Sequence, residues 1–97
     1  MTDIALILEK IGKIIKAEVD GDYRLFLFGS RAQNNFHEKA DIDIGILSDR
    51  PLAARRLFSI KDKLDEIPTL LKIDFVDFST VSEDFQTVAM QHTKEIL

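Results

Sequence analysis

The sequence predicts a sandwich of helices around a small sheet, of the α/β or α+β class, and three observations carry that prediction. Segments with helical spacing alternate with short apolar segments along the chain. Glycine, proline or a cluster of small polar residues marks most of the boundaries between them. The 97 residues, 45% hydrophobic and 31% charged, supply one modest core, so a single domain over 1–97 is expected.

Residues 3–17 set Ile4, Ile7, Leu8, Ile11, Ile14 and Ile15 at helical spacing, with Thr2 or Asp3 as the cap. Asp20-Gly21-Asp22 is a turn that stops this helix. Tyr23-Arg24-Leu25-Phe26-Leu27-Phe28 is short, aromatic and bounded by Gly29, which predicts a buried strand. A short helix is expected from Ser30 to about Asn35, with a loop around Asn34, Asn35 and His37. Ala40 to Leu47 alternates and predicts the second strand. Asp49-Arg50-Pro51 signals a helix start. Ala53, Leu57, Ile60, Leu64 and Ile67 then recur at helical spacing until Pro68 ends the helix. Lys72 to Phe78 predicts the third strand, and Ser79 to Ser82 a turn. Ser82, Glu83 and Asp84 make an acidic start for a last helix, whose apolar side is Phe85, Val88, Ala89 and His92.

Composition excludes several functions. The net charge of −4 argues against coating DNA or RNA, which needs a basic face. It leaves open a single nucleotide arriving with its own magnesium. The absence of cysteine excludes disulfides and thiolate metal sites. No apolar run approaches the roughly 18 residues of a spanning helix. Met1-Thr2-Asp3 lacks the basic start of a signal peptide, so a cytoplasmic location is expected.

Charge on apolar strands is the feature that points to chemistry. Asp41 and Asp43 lie two apart, so on a strand they share one face, while the neighbouring isoleucines pack on the other. Adjacent carboxylates repel, and burying either one unpaired is costly. A divalent cation relieves both problems, and hard oxygen donors favour Mg²⁺ or Mn²⁺ over zinc. Asp74 and Asp77 on the third strand are three apart and point to opposite faces, so only one joins that side. The plainer alternative is a solvated sheet face. His37 and His92 have no neighbouring ligand at metal spacing and read as a loop and a helix-flank histidine. Gly29-Ser30-Arg31-Ala32 follows a buried strand; its glycine admits close approach of a ligand, its helix start suits a phosphate, and Arg31 offers a cationic fork. A simple strand-to-helix turn explains the same residues.

The combination is more specific than its parts. Leu27-Phe28-Gly29-Ser30-Arg31-Ala32 is followed, 11 positions after Ser30, by Asp41 in Ala40-Asp41-Ile42-Asp43-Ile44, and later by Ile73-Asp74-Phe75-Val76-Asp77. In these residues, and over about 23–90, the chain resembles the minimal nucleotidyltransferases of the DNA polymerase β-like superfamily. The resemblance implies a small mixed sheet flanked by helices, with Asp41, Asp43 and a third carboxylate converging. It implies two Mg²⁺ ions, or Mn²⁺, held by Asp41 and Asp43 and bridging a nucleoside triphosphate. The third carboxylate would bind the metal nearer the acceptor and help deprotonate its hydroxyl; Asp74 is the choice, and Asp77 the fallback. Gly29 and Ser30 would seat the triphosphate, with Arg31 close by. Two positions depart from the family's pattern. Ala40 stands where a serine or similar polar residue is usual, and Gln33-Asn34-Asn35-Phe36 lacks a common glycine. Neither removes a metal ligand, so an active enzyme is expected.

Larger relatives carry further domains that grip base and acceptor, and a chain of this size is expected to borrow its acceptor site from a partner. Proteins similar to this one pair with all-helical HEPN-domain proteins as toxin–antitoxin modules. The resemblance therefore implies an antitoxin that attaches AMP from ATP to a tyrosine of a HEPN ribonuclease. A binding module that neutralises its partner by contact is a second hypothesis. Transfer to a small molecule is a third. Template-directed polymerisation is disfavoured by the acidic balance.

Overall fold

The computed structural model describes residues 3–33 and 37–96. Helix α1 (Ile4–Glu18) starts where the Asp3 carboxylate accepts from the Leu6 N–H at 3.1 Å. Thr2, the alternative cap, lies outside the described residues. The helix stops at Val19, and the chain reverses through Gly21, whose φ of +80° suits glycine. Strand β1 (Tyr23–Phe28) follows, then a 3₁₀ turn (Ser30–Gln33) and strand β2 (Ile42–Ser48). Helix α2 (Ala54–Asp65) crosses over to strand β3 (Ile73–Asp77), and helix α3 (Glu83–Ala89) leads to a two-residue strand β4 (Lys94–Glu95).

The four strands lie in the order β3-β2-β1-β4. Strand β1 is antiparallel to both β2 and β4, whereas β2 and β3 are parallel, so the sheet is mixed as expected. Strand alternation divides the core in two. Leu25, Leu27, Ile42, Ile44, Ile46 and Phe75 pack with Ile7, Ile11 and Ile15 of α1 and Ile60 and Leu64 of α2. Phe26, Phe28 and Phe78 form a separate cluster, flanked by Ala89 and Met90. Gly45 makes that second cluster possible. It pairs with Phe26 across the sheet, and a Cβ there would stand 2.6 Å from atoms of both the Phe26 and Phe78 rings. Those rings meet edge to face, 4.9 Å between centroids.

Four expectations need correction. Helix α2 begins at Ala54 rather than at Asp49-Arg50-Pro51, because the Asp77 carboxylate accepts from the Leu52 N–H at 2.8 Å and holds that segment outside the helix. The helix expected from Ser30 is only a four-residue 3₁₀ turn; Asn34 and Asn35 lie outside the described residues. The last helix ends at Ala89, so His92 lies beyond it, and none of its residues is fully buried. Strand β4 was not expected, since Lys94-Glu95 carries no apolar alternation; its Glu95 carboxylate accepts from Arg24 of β1. Among the described residues no helix is long and apolar enough to cross a membrane.

Candidate active site

The site forms where the end of β1 meets the beginnings of β2 and β3. The antiparallel register sets Phe28 opposite Asp43, so the next residue of β1, Gly29, arrives beside that carboxylate. The parallel register sets Asp43 opposite Asp74. A Cβ on Gly29 would lie 2.3 Å from Asp43 Oδ2, and its φ of +73° independently favours glycine. Glycine here is thus a requirement of the Asp43 position as well as of the turn.

Asp43 is half-buried, and its carboxyl is pushed above the ordinary value of 3.8. Loss of solvent is the first cause, followed by the negative charges of Asp74 and Asp41. The neighbouring Asp74 carboxyl favours the protonated form further, while the Lys72 ammonium opposes the shift. Lys72 Nζ is 3.5 Å from Asp74 Oδ1. Asp41 is exposed and precedes the first residue of β2, so it contributes charge to Asp43 without belonging to the strand. Among the described residues no three His, Cys, Asp or Glu side chains already stand at the mutual spacing of a closed metal site.

Asp77 belongs elsewhere. It is buried, accepts from Leu52 N at 2.8 Å and Ser79 N at 3.0 Å, and its Oδ1 also accepts from Ser79 Oγ at 2.6 Å. Of the two third-strand carboxylates, Asp74 is therefore the one brought beside Asp43. Ser30 is exposed at the start of the 3₁₀ turn. Arg31 follows it in the same turn and is engaged with the backbone. Its side chain is only 4% exposed, Nε donates to the Ala40 carbonyl at 3.0 Å, and Nη2 donates to the Glu38 carbonyl at 2.9 Å. It ties the turn after β1 to the loop before β2, and so positions Asp41 and Asp43. The turn is closed by the Ala32 N–H, which donates to the Gly29 carbonyl at 3.2 Å. His37 lies in a loop, accepting from the Lys39 N–H at 3.2 Å.

Two contributors escape the sequence reading. Lys72 stands two before Asp74, and that spacing on a strand is the signal that could have revealed their pairing. Phe85 of α3 lines a cleft of about 570 Å³ together with Phe28, Asp43, Asp74 and Val76. The donor set fits a hard divalent cation. Two oxygen-donor groups lie side by side with a repulsion that Lys72 only partly offsets, and the missing Gly29 Cβ leaves Asp43 the room it occupies.

The family described as "Polymerase beta, Nucleotidyltransferase" matches residues 9–97. This chain belongs to that nucleotidyltransferase family. A second likeness agrees with it. A Haemophilus influenzae protein named "Probable protein adenylyltransferase MntA" is 31% identical over 78 residues, which cover 80% of this chain and 68% of that protein. Among solved structures, the polymerase beta-like fold matches a chain in the crystal structure of a toxin–antitoxin with AMP-PNP, with a TM-score of 0.76 and 24% identity, covering 93% of this chain and 72% of the other. It also matches a structure of a tri-AMPylated Shewanella oneidensis HEPN toxin in complex with an MNT antitoxin, with a TM-score of 0.73 and 23% identity, covering 95% and 70%. In this nucleotidyltransferase the carboxylate pair sits where three strands of the shared fold converge.

Proposed function

We propose that this nucleotidyltransferase moves AMP from ATP, with Mg²⁺, to the hydroxyl of a tyrosine on a HEPN-domain partner, and acts as the antitoxin of the pair. The observation that carries the reading is the Asp43–Asp74 juxtaposition opposite Gly29. The name of the H. influenzae relative supports AMP as the transferred group. The AMPylated HEPN toxin bound to an MNT antitoxin supports the class of acceptor.

Asp41, Asp43 and Asp74 would hold the metal. Bound there, Mg²⁺ supplies charge neutralisation at the α-phosphorus and at the leaving pyrophosphate. Gly29 lets the backbone approach the triphosphate, and the exposed Ser30 hydroxyl donates to it. Arg31 keeps that turn fixed against the loop before β2. Asp74 accepts the proton of the acceptor hydroxyl. The tyrosine oxygen forms its bond to the α-phosphorus as the bond to the β-phosphate oxygen breaks, and pyrophosphate leaves with the electron pair. Positioning and charge dominate such a transfer, and no protein nucleophile is needed.

The test is incubation of the chain and its HEPN-domain neighbour with labelled ATP and Mg²⁺, followed by mass spectrometry of the neighbour. An AMP adduct on tyrosine is expected, and the double change Asp41→Asn, Asp43→Asn should abolish it. Neutralisation by contact alone is the second reading, favoured by the exposure of Asp41 and its position outside β2. A tight complex, no adduct and undiminished neutralisation by the double variant would establish that reading instead.

A further inference from the structure

We propose that Phe85 is a specificity-determining residue that forms the acceptor-side wall of the site and favours a planar phenol over an aliphatic alcohol. The inference rests on the transferase reading and concerns the acceptor half of the same cleft. Phe85 is 43% exposed, yet its ring is fixed from behind. It meets Phe28 edge to face at 6.3 Å and Phe78 in a tilted arrangement at 5.7 Å, and both of those rings are buried. A ring held by the core while leaving much of itself to solvent is a platform rather than a core residue. It shares its cleft with Asp43 and Asp74, and the cleft continues around the open edge of β3 to Lys61 of α2.

In-line chemistry decides which substrate meets that platform. Entering and leaving oxygens lie on opposite sides of the phosphorus. The leaving pyrophosphate is assigned to Gly29 and Ser30 at the end of β1. The entering oxygen therefore comes from beyond Asp43, across Asp74 on the edge strand, the direction in which the cleft opens along β3. An aromatic acceptor gains edge or face contact with Phe85 beyond simple burial, and a serine hydroxyl gains none.

The first experiment is saturation-transfer NMR of the full chain with Mg²⁺, AMP-PNP and N-acetyltyrosinamide as the acceptor probe. Ring protons of the probe should receive saturation in the wild type, and N-acetylserinamide should receive none. Phe85→Leu, which keeps an apolar side chain, and Phe85→Ala should both reduce the ring signal several-fold, whereas Phe85→Trp should retain it. Equal ring signals in wild type and Phe85→Ala would overturn the inference. So would loss of the adenine signal of AMP-PNP in its place, which would make Phe85 the wall for the base. The second experiment is steady-state transfer to the HEPN partner. Phe85→Leu should raise KM for the partner about fivefold to tenfold and leave KM for ATP unchanged, with the protein still folded and at most modestly less stable. A fall in kcat with both KM values unchanged would argue for a purely structural ring and against the inference. Absence of transfer by the wild type, with the Phe85-dependent ring signal intact, would sink the transferase reading and keep the phenol site.

Discussion

Asp43 is held in an uncomfortable place. Its carboxyl fills the volume that a Gly29 side chain would take, lies beside Asp74 and feels the charge of Asp41. Its folded-state pKa is raised above 3.8, so the folded protein binds its proton more tightly than the unfolded chain does. Stability from this group therefore grows as pH falls through the raised value and is lost as pH rises through it. Asp43→Asn removes the repulsion at every pH. We expect the metal-free variant to melt about 2–4 °C above the wild type at neutral pH, a gain below about 1 kcal/mol after solvent screening of this half-exposed group. Its advantage should shrink as the pH is lowered. An Asp43→Asn variant that melts below the wild type at pH 7 in the presence of a chelator would contradict this account. The same substitution should lower nucleotidyl transfer by at least about 100-fold, because in the proposed mechanism it removes a ligand of the cation that neutralises the developing negative charge.

The helices and strands are joined by a few specific fits. Glu18 at the end of α1 is buried and accepts from Lys63, Arg56 and Ser59 of α2, fastening the two helices on one face of the sheet. The Lys63 ammonium, then that of the Arg56 guanidinium, hold its carboxyl below the usual 4.5 against the opposing effect of burial. A depressed folded pKa contributes stability that is complete above the unfolded value and lost as pH falls through the folded one. Acid unfolding followed by circular dichroism should accordingly show a shallower slope below about pH 4.5 for Glu18→Gln than for the wild type. An unchanged slope would mean that the clamp contributes nothing. On the opposite face, Gly45 lets Phe26 and Phe78 close over β2. Gly45→Ala places a methyl group within both rings and should cost about 1–3 kcal/mol, read as a lower denaturation midpoint with an unchanged m-value.

Across the molecule, the site exists only because three chain segments far apart in sequence end at one place. The turn after β1, the start of β2 and the start of β3 carry Gly29, Asp43 and Asp74, and no two of them are local neighbours. Binding of Mg²⁺ with a nucleotide should hold these segments together and stabilise the whole fold. At about 100 times Kd the linkage amounts to about 2.7 kcal/mol, or a rise of roughly 10 °C or more in melting temperature for a domain of this size. Differential scanning calorimetry with Mg²⁺ and AMP-PNP should show that rise in the wild type and lose it in Asp43→Asn and Asp74→Asn. An equal rise in the two variants would remove these carboxylates from the proposed metal site.

Local pattern alone was enough to read β1 and β3 as short apolar strands, the two-residue alternation of β2 and the apolar stripe of α1, because side-chain direction follows directly from backbone period. The same period separated Asp74 from Asp77 onto opposite faces, and the three-part pattern pointed to a nucleotidyltransferase. Strand register decided which of the two meets Asp43, and that depends on how β2 and β3 align, which no single segment encodes. Tertiary contact also made Arg31 a strut between two loops, since its donors found backbone carbonyls nine and seven positions away. Strand β4 formed from Lys94-Glu95 because β1 had a free edge to pair with. Phe85 became part of the cleft because α3 packs over the Phe28 and Phe78 rings. The sequence by itself determined which side chains and faces were available for chemistry; only the folded chain decided which of them meet, because distances between remote segments are set by the packing of the core.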